Sequence, residues 1–406
     1  MITRIELEGF RSFRDCAVDL SPFTVLVGQN GSGKTNLLEA IDLAARLTND
    51  RLGRCASADG VRWSADLQPD DGLRGRVVDL FHRYGDGTAA DRIRIVLCYL
   101  QSNVVQGMRH LRLALDIARE GEASRPDVHG TLTLLPDAPD GWGLTGEQRA
   151  QIRRSAEDDP SLPSRTPGLR WYRLVPDADR ARQDADLHDD RHMARDAHNL
   201  SAVLGRLLQG EGEAAHEALL LKADAVAVLP GLTDLRAAAD SHRGAWELEL
   251  SYRDAAPTPA RLASDGTLHA LSVLVAAHDG SAADTSSAAR DVRVPDRCTT
   301  LMIEDVENGL HPGQVKELVR RLRRRTGQAT LQQIIVTTHS PVVLAAVYPG
   351  HPGDVLFVDT VTRVGGGETP SRHSRIRSLA ESGERGTYVP AREARQYLET
   401  AQAGNG

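Results

Sequence analysis

One eight-residue string near the start of the chain constrains its fold more than any other feature. It fits the pattern G-x-x-x-x-G-K-[ST] at every position, and it reads Gly28-Gln29-Asn30-Gly31-Ser32-Gly33-Lys34-Thr35. A run of apolar and β-branched residues, Phe23–Val27, precedes it, and Asn36 and leucines at helical spacing follow it. A buried strand, a glycine-rich turn and a helix in this order surround an anion with backbone N–H groups. The string therefore predicts a phosphate loop in an α/β domain.

Two side chains of this loop carry specific chemistry. Lys34, one of only three lysines in the chain, places a positive charge between nucleotide phosphates. Thr35 offers its hydroxyl oxygen to Mg²⁺. A phosphate loop also needs an acidic partner at the end of a neighbouring strand.

The strand Thr299–Ile303 supplies that partner, because it ends in Glu304 and Asp305. Carboxylates at a buried strand end are costly unless a cation compensates them. Glu304 is predicted to hold Mg²⁺ together with Thr35, and Asp305 to polarise the attacking water. A solvated acidic turn is the alternative interpretation. About thirty residues later, His339 follows the strand Gln333–Thr337 and is predicted to reach the γ-phosphate.

Three strings together resemble a known family. They are the phosphate loop, Glu304-Asp305-Val306-Glu307-Asn308-Gly309-Leu310-His311-Pro312 and Thr337-Thr338-His339-Ser340-Pro341. They look like the ABC-type ATPases related to RecF, SMC and OLD proteins, and more narrowly like stand-alone AAA_21-type or OLD-like ATPases. The opening residues 5–13 also match the first strand and turn of this group. The matches cover about residues 1–50 and 260–360.

The resemblance implies ATP and Mg²⁺ as cofactors and a signature segment, for which residues 262–268 are the match. In the family this segment meets the γ-phosphate bound by the other subunit, so a homodimer shares two ATP sites. Ser264, Asp265 and Gly266 are therefore predicted to contact nucleotide across the dimer. A Ser264 cap of the following helix is the simpler interpretation, and the two are compatible.

Two departures from the family pattern affect the predicted chemistry. ABC ATPases usually carry Asp followed by Glu, whereas this chain has Glu304 followed by Asp305. Because Asp305 is one methylene shorter than the usual catalytic glutamate, slow turnover is expected. The glutamine that senses Mg²⁺ in the family has no assigned position here, and Gln101 and Gln106 are candidates by position only.

The predicted fold class is α/β: an ABC-type P-loop ATPase head, with a mixed or parallel sheet and flanking helices. Residues 1–50 and 255–365 form the head, 51–254 a β-meander and helical insertion, and 366–406 a partly flexible C-terminal extension. Alternating segments at 92–100, 111–117 and 130–134 predict an antiparallel meander. Residues from Leu200 to about Ala239 are predicted helical, Val355–Val358 is the last predicted strand, and the final three residues are predicted to fray.

Composition excludes several classes of function. The net charge of −7 argues against a general nucleic-acid coat, and the scattered cysteines indicate a reducing, cytoplasmic compartment. No signal peptide or membrane span is expected. Lys316 and five arginines between Arg320 and Arg325 predict either a DNA-contacting stripe or, more simply, a solvated helix face.

The sequence thus predicts an ATP-driven molecular switch that dimerises on ATP and works with a partner effector, in DNA-linked, anti-phage defence or repair systems. A self-contained repair enzyme or nuclease of the OLD or RecF kind is one alternative. It is disfavoured because only about 65 residues follow Ser340 and they lack a nuclease-type acidic arrangement. A regulatory sensor of a toxin–antitoxin system is the other alternative.

Overall fold

The computed structural model describes residues 1–49, 61–66, 75–103, 107–119, 126–157, 170–189, 192–279, 299–327, 331–365, 368–380 and 386–403. In chain order the strands are β1 Ile2–Phe10, β2 Phe13–Asp19, β3 Phe23–Val27, β4 Val61–Asp66, β5 Arg92–Asn103, β6 Gly107–Ala118, β7 Asp127–Leu135, β8 Trp171–Leu174, β9 Ala185–Asp186, β10 Leu232–Asp240, β11 Ala245–Tyr252, β12 Thr258–Pro259, β13 Thr299–Ile303, β14 Gln332–Thr338, β15 Val355–Gly365, β16 Glu368–Leu379 and β17 Tyr388–Val389. The helices are α1 Lys34–Asn49, α2 Gly146–Glu157, α3 Ala178–Ala181, α4 Leu200–Leu208, α5 Glu213–Val228, α6 Asp265–His278, α7 Pro312–Arg324, α8 Pro341–Val347 and α9 Ala391–Ala403.

A seven-stranded sheet in the order β17-β16-β15-β3-β14-β13-β8 carries the candidate site. The five strands from β15 to β8 pair in parallel, and β16 pairs antiparallel with β15. All five residues of β3 are buried, as expected for a parallel strand covered on both faces. Phe23, Val25 and Val27 face a core built with α6 and α7, whereas Leu26 faces a core built with α1.

A six-stranded antiparallel sheet covers the other side of α1, in the order β2-β1-β5-β6-β7-β4. It contains the predicted meander, since β5 pairs with β6 and β6 with β7 over long antiparallel registers. Leu37, Leu38 and Ile41 of α1 pack between the two sheets. The phosphate-loop helix is therefore buried along most of its length, which fixes the position of its N-terminus.

The segment predicted to be helical from Leu200 to Ala239 was only partly so. Helices α4 and α5 are present, but Leu232–Asp240 is strand β10, paired antiparallel with β11. Pro230 and Gly231, the latter with a positive φ of 78°, end the helical path. The run of small residues in β10 has no marked periodicity, so the sequence gives no strand signal there.

Several other elements were not predicted. Strand β8 and helix α2 lie between residues 137 and 200, and β16, β17 and α9 follow the last predicted strand. Strand β8 has only four residues and joins β13 in the seven-stranded sheet. That sheet thus takes strands from every segment of the predicted domain division, whose boundaries remain a proposal. The predicted fraying of the final three residues lies outside the described residues.

None of the helices in the described ranges has the length and apolarity needed to cross a membrane.

Packing between α4 and β11 gives a test of this fold. A Cβ at Gly205 would lie 2.4 Å from the Trp246 ring, so Gly205→Ala is expected to destabilise the protein by about 1–3 kcal/mol in urea unfolding. Gly146→Ala is the matched control, because its Cβ would meet nothing within 4 Å, and it should stay within about 0.5 kcal/mol of the wild type. Equal stabilities of the two variants would contradict the packing of α4 on β11.

Candidate functional site

The phosphate loop joins the buried end of β3 to α1, and its glycines are required by its geometry. Gly31 and Gly33 adopt positive φ angles of 77° and 108°, which other residues rarely adopt. A Cβ at Gly28 would lie 2.2 Å from the carbonyl oxygen of Val358 on β15. The loop thus packs tightly against the sheet and follows the tight path that a phosphate cradle needs.

Lys34 is buried within the phosphate loop. Its Nζ donates hydrogen bonds to the carbonyl oxygens of Gly28 at 2.6 Å and Gln29 at 3.0 Å. Burial lowers the pKa of Lys34 from its ordinary value, while the negative charges of Asp305 and Glu307 act in the opposite direction. The ammonium group is therefore held where entering phosphates would replace the two carbonyl oxygens as its partners.

Thr35 and Glu304, which are far apart in sequence, are joined by a hydrogen bond. The Thr35 hydroxyl donates to Glu304 Oε2 at 2.9 Å. A threonine hydroxyl and a carboxylate are oxygen ligands of the kind that Mg²⁺ prefers. The two residues predicted to hold the metal are therefore adjacent, and their chemistry fits Mg²⁺.

The other oxygen of Glu304 binds an arginine that sequence reasoning missed. Arg173 of β8 reaches Glu304 Oε1 with Nε at 2.7 Å and Nη2 at 2.5 Å. The same guanidinium lies 3.7 Å from Glu39 and 3.9 Å from Asp42, both on α1. Because β8 is short and lies between ranges without periodicity, its sequence carried no signal for this role.

Asp305 follows Glu304 in an unusual backbone conformation. Its φ is +47°, in the left-handed region that aspartate tolerates better than most residues. Its backbone N–H donates to Thr337 Oγ1 at 2.9 Å, which ties the turn to β14. Burial and the negative charge of Glu307 raise the pKa of Asp305 above its ordinary value. The carboxyl lies 4.0 Å from His339 Nδ1, so these two predicted catalytic residues are neighbours.

Glu307 is a second residue whose role was not predicted, although it lies in the string that carried the resemblance. Its Oε1 accepts hydrogen bonds from the Thr338 hydroxyl and from the backbone N–H groups of His339 and Ser340, at 2.7–3.0 Å. The same oxygen lies 3.2 Å from His339 Nδ1. Glu307 therefore shapes the turn after β14 and fixes the position of His339.

The predicted signature segment starts α6. Ser264 caps the helix by accepting a hydrogen bond from the Thr267 N–H at 3.2 Å, so the simpler interpretation holds. Asp265 is paired with Arg182, which follows α3. A Cβ at Gly266 would lie 2.1 Å from the carbonyl oxygen of Gly309, in the loop after the acidic strand. Within one chain these residues contact that loop and α3.

The remaining residues singled out from the sequence, two glutamines and the arginines in and just after α7, are not part of this cluster. Gln101 lies on β5 beside the start of β1, roughly 30 Å of strand from the turn that reaches the phosphate loop. Gln106 lies outside the described residues. Most arginines of the predicted DNA stripe are engaged within the chain: Arg320 and Arg321 with Glu317, Arg323 with Asp354, and Arg325 with Glu217. This pairing favours the solvated helix face.

Strand β16 supports the phosphate loop from the side. Ser374 Oγ donates to the carbonyl oxygen of Ser32 at 2.6 Å and lies 2.8 Å from Ser12 Oγ, which in turn accepts from Asn36. A Cβ at Gly33 would lie 2.1 Å from Ser374 Oγ. The residues after the last predicted strand are therefore part of the site.

Removing this support should loosen the loop. Ser374→Ala is expected to weaken nucleotide binding about 2- to 10-fold, because a hydrogen bond to the loop backbone is lost, and a fluorescent ATP analogue can measure this. Ser378→Ala is the matched control, since Ser378 is exposed on the same strand. An unchanged affinity in Ser374→Ala would show that β16 does not support the loop.

With this geometry established, comparison with known proteins gives the family. A family model described as "AAA domain, putative AbiEii toxin, Type IV TA system" (AAA_21) matches residues 23–345. The chain belongs to this family. Its members are ABC-type P-loop ATPases related to RecF and to SMC heads, as the sequence predicted.

Individual relatives match over short stretches. The DNA replication and repair protein RecF of Nocardioides sp. (strain ATCC BAA-499 / JS614) is 44% identical over 66 residues, 16% of this chain and 15% of that protein. RecF of Rhizobium leguminosarum bv. trifolii (strain WSM2304) is 35% identical over 102 residues, 23% of this chain and 26% of that protein. The chain thus spans about a quarter or less of the length of these relatives.

Solved structures agree on the fold. The crystal structure of an SmcHead bound to the C-winged helix domain of ScpA has a TM-score of 0.50 and 15% identity, covering 93% of this chain and 98% of that one. The Smc head domain with a coiled coil and joint derived from Pyrococcus yayanosii has a TM-score of 0.51 and 12% identity, covering 99% of each chain. The predicted fold class, an ABC-type α/β ATPase head, is confirmed.

Proposed function

We propose that this protein is a molecular switch that binds Mg·ATP, dimerises head to head around it, and returns to the monomer on hydrolysis. The observation that carries the proposal is the 2.9 Å hydrogen bond between Thr35 and Glu304. It joins the helix of the phosphate loop to the end of the acidic strand. The family membership supports the same activity.

The sequence-predicted residues of the cluster each have a place in the proposed reaction. The loop glycines and the N-terminus of α1 bind the phosphates, with Lys34 as their counter-charge. Thr35 and Glu304 would hold Mg²⁺, which supplies positive charge that stabilises the phosphoryl transition state. Asp305 orients the attacking water and accepts its proton. His339, beside Asp305, hydrogen-bonds the γ-phosphate or that water.

The proposed dimer completes the site with the signature segment of a second copy. Ser264 and Asp265 at the start of α6 are exposed, so they are accessible to a phosphate from outside the chain. Leu262, two residues before Ser264, is also exposed, at 71%. Each ATP would then bind between the phosphate loop of one chain and Ser264, Asp265 and Gly266 of its partner.

Trapping the dimer tests this proposal. Asp305→Asn keeps the size of the side chain and tolerates a positive φ, so the fold should survive. It removes the base, and it is expected to lower ATP turnover at least about a hundredfold and to shift the protein to a dimer in ATP. Size-exclusion chromatography with and without ATP measures the shift.

Asp305→Asn combined with Lys34→Ala is the control, because it should no longer bind ATP and should elute as a monomer in both conditions. Elution of Asp305→Asn that does not depend on ATP would contradict the switch.

The pH dependence of turnover tests the role of Asp305. Burial and the negative charge of Glu307 both raise the pKa of Asp305, and a base must be ionised to accept a proton. Glu307→Gln keeps an acceptor oxygen for the turn after β14 but removes the charge, so the acid limb of the pH–rate profile should move to lower pH. Glu249→Gln, at an exposed position on β11, should leave the limb in place. A limb that moves to higher pH in Glu307→Gln would contradict this assignment.

The biological setting that we propose is cytoplasmic, with a partner effector, in anti-phage defence or DNA repair. The family description names a putative toxin of a type IV toxin–antitoxin system, which favours the regulatory sensor as the second candidate. The RecF relatives favour a link to DNA. Co-purification with and without ATP distinguishes the two: recovery of nucleic acid supports the repair setting, and recovery of a protein effector without it supports the sensor.

A further inference from the structure

Neither the motifs nor the proposed reaction explains Arg173, a buried residue of the ATP-site cluster. It lies on β8, beside the acidic strand β13, with its partner in the parallel register at Met302. Its side chain is 5% exposed, and those of Glu304, Glu39 and Asp42 are 11%, 9% and 7% exposed. An arginine and three carboxylates are therefore buried together at the candidate Mg²⁺ position.

Burial of several carboxylates without a cation is unfavourable. Arg173 supplies such a cation in the nucleotide-free protein, and its contacts with Glu304 are far shorter than those with the other two acids. Arg11 and Arg46 compensate the other two: Arg11 lies 3.0 Å from Glu39, and Arg46 lies 3.0 Å from Asp42. Glu304 thus has Arg173 as its nearest counter-charge.

The contact also orients Glu304. Both Nε and Nη2 bind the same carboxylate oxygen, Oε1, and this leaves Oε2 directed at the Thr35 hydroxyl. The oxygen that faces Thr35 is the one positioned for a metal shared with that hydroxyl. In the described part of the chain no group of three or more His, Cys, Asp or Glu side chains is arranged to hold a metal by itself.

We propose that Arg173 is a positioning residue that takes the place of the metal's charge at Glu304. It fixes Glu304 Oε2 toward Thr35, and it keeps the free protein from taking up a divalent cation before nucleotide arrives. Thr35 and Glu304 would hold Mg²⁺ when it is bound together with nucleotide, whose phosphates would supply further oxygen ligands. This inference rests on the proposed function, because it assigns Glu304 to the metal of Mg·ATP.

Metal binding to the nucleotide-free protein tests whether the positive charge of Arg173 keeps divalent cations from binding. Arg173→Met leaves Glu304 without its nearest counter-charge, so Mn²⁺ should bind at least about tenfold more tightly than to the wild type, as measured by electron paramagnetic resonance of free Mn²⁺. Arg173→Gln should show the same gain, and because its amide still donates to Glu304, it covers the case in which Arg173→Met fails to fold. Arg46→Met is the matched control: its arginine is 40% exposed and contacts Asp42 but not Glu304, so little change is expected.

Arg173→Lys separates charge from position. It keeps the positive charge, so Mn²⁺ binding without nucleotide should stay at the wild-type level. It loses the two-nitrogen contact with Oε1, so the Mg²⁺-dependent part of ATP affinity should fall several-fold. Equal Mn²⁺ affinities in wild type, Arg173→Met and Arg173→Gln would overturn the proposal.

The metal measurement uses no ATP, so it stands apart from the proposed function. Failure of the wild type to bind a fluorescent ATP analogue would contradict the proposed function alone. Normal ATP binding by the wild type, with no gain in Mn²⁺ affinity in the charge-neutral variants, would contradict the role of Arg173 alone.

Discussion

Parallel pairing of β3, β14 and β13 is the constraint on which the site depends. The register places Val27 opposite Thr338, and Val336 opposite Ile303. Three segments from distant parts of the sequence therefore leave the sheet at one edge: the phosphate loop, the acidic turn and the turn with His339. Ligands of open α/β sheets bind outside the carboxyl ends of the strands. The site is at this edge because the strands end there together.

A second feature of the site is that several of its charged side chains are buried. Lys34, Arg173, Glu304 and Glu307 are each largely shielded from water, and each contacts a group of opposite charge or hydrogen-bonds with backbone groups. Such groups are costly to bury and are retained where they have a use. Here the partners leave places for an incoming nucleotide and metal, since phosphates can replace the loop carbonyls that bind Lys34, and the arginine on Glu304 Oε1 leaves Oε2 facing Thr35.

The sequence predicted the parts of the site that lie in continuous strings. The phosphate loop, Glu304, Asp305 and His339 were recognisable because each follows a buried, β-branched strand, and the structure brings them together. Arg173 and Ser374 could not be predicted, because each reaches the site through strand pairing. Nothing in the four residues of β8 reveals that it lies beside β13, nor in β16 that its serine faces the loop.

The same distinction, between local sequence patterns and the pairing of distant strands, explains which parts of the fold could be predicted. Alternation predicted the meander β5–β6–β7, because alternate residues of its strands, such as Leu111, Leu113, Leu115 and Ile117, pack into one core. Alternation fails for β10, whose alanines do not alternate with polar residues, and it gives no signal for β16, which lies within the predicted C-terminal extension. The contact of Gly266 with Gly309 likewise joins residues that are far apart in the sequence. It links the signature segment to the acidic turn.

A double-mutant cycle on Thr35 and Glu304 tests the central claim most directly. Thr35→Val, Glu304→Gln and the double variant are compared with the wild type for ATP affinity, in Mg²⁺ and in a chelator. If the two side chains hold one metal, the coupling between them in Mg²⁺ should be at least about 1 kcal/mol, and it should vanish in the chelator. Effects in Mg²⁺ that add to within about 0.5 kcal/mol would contradict a shared Mg·ATP site.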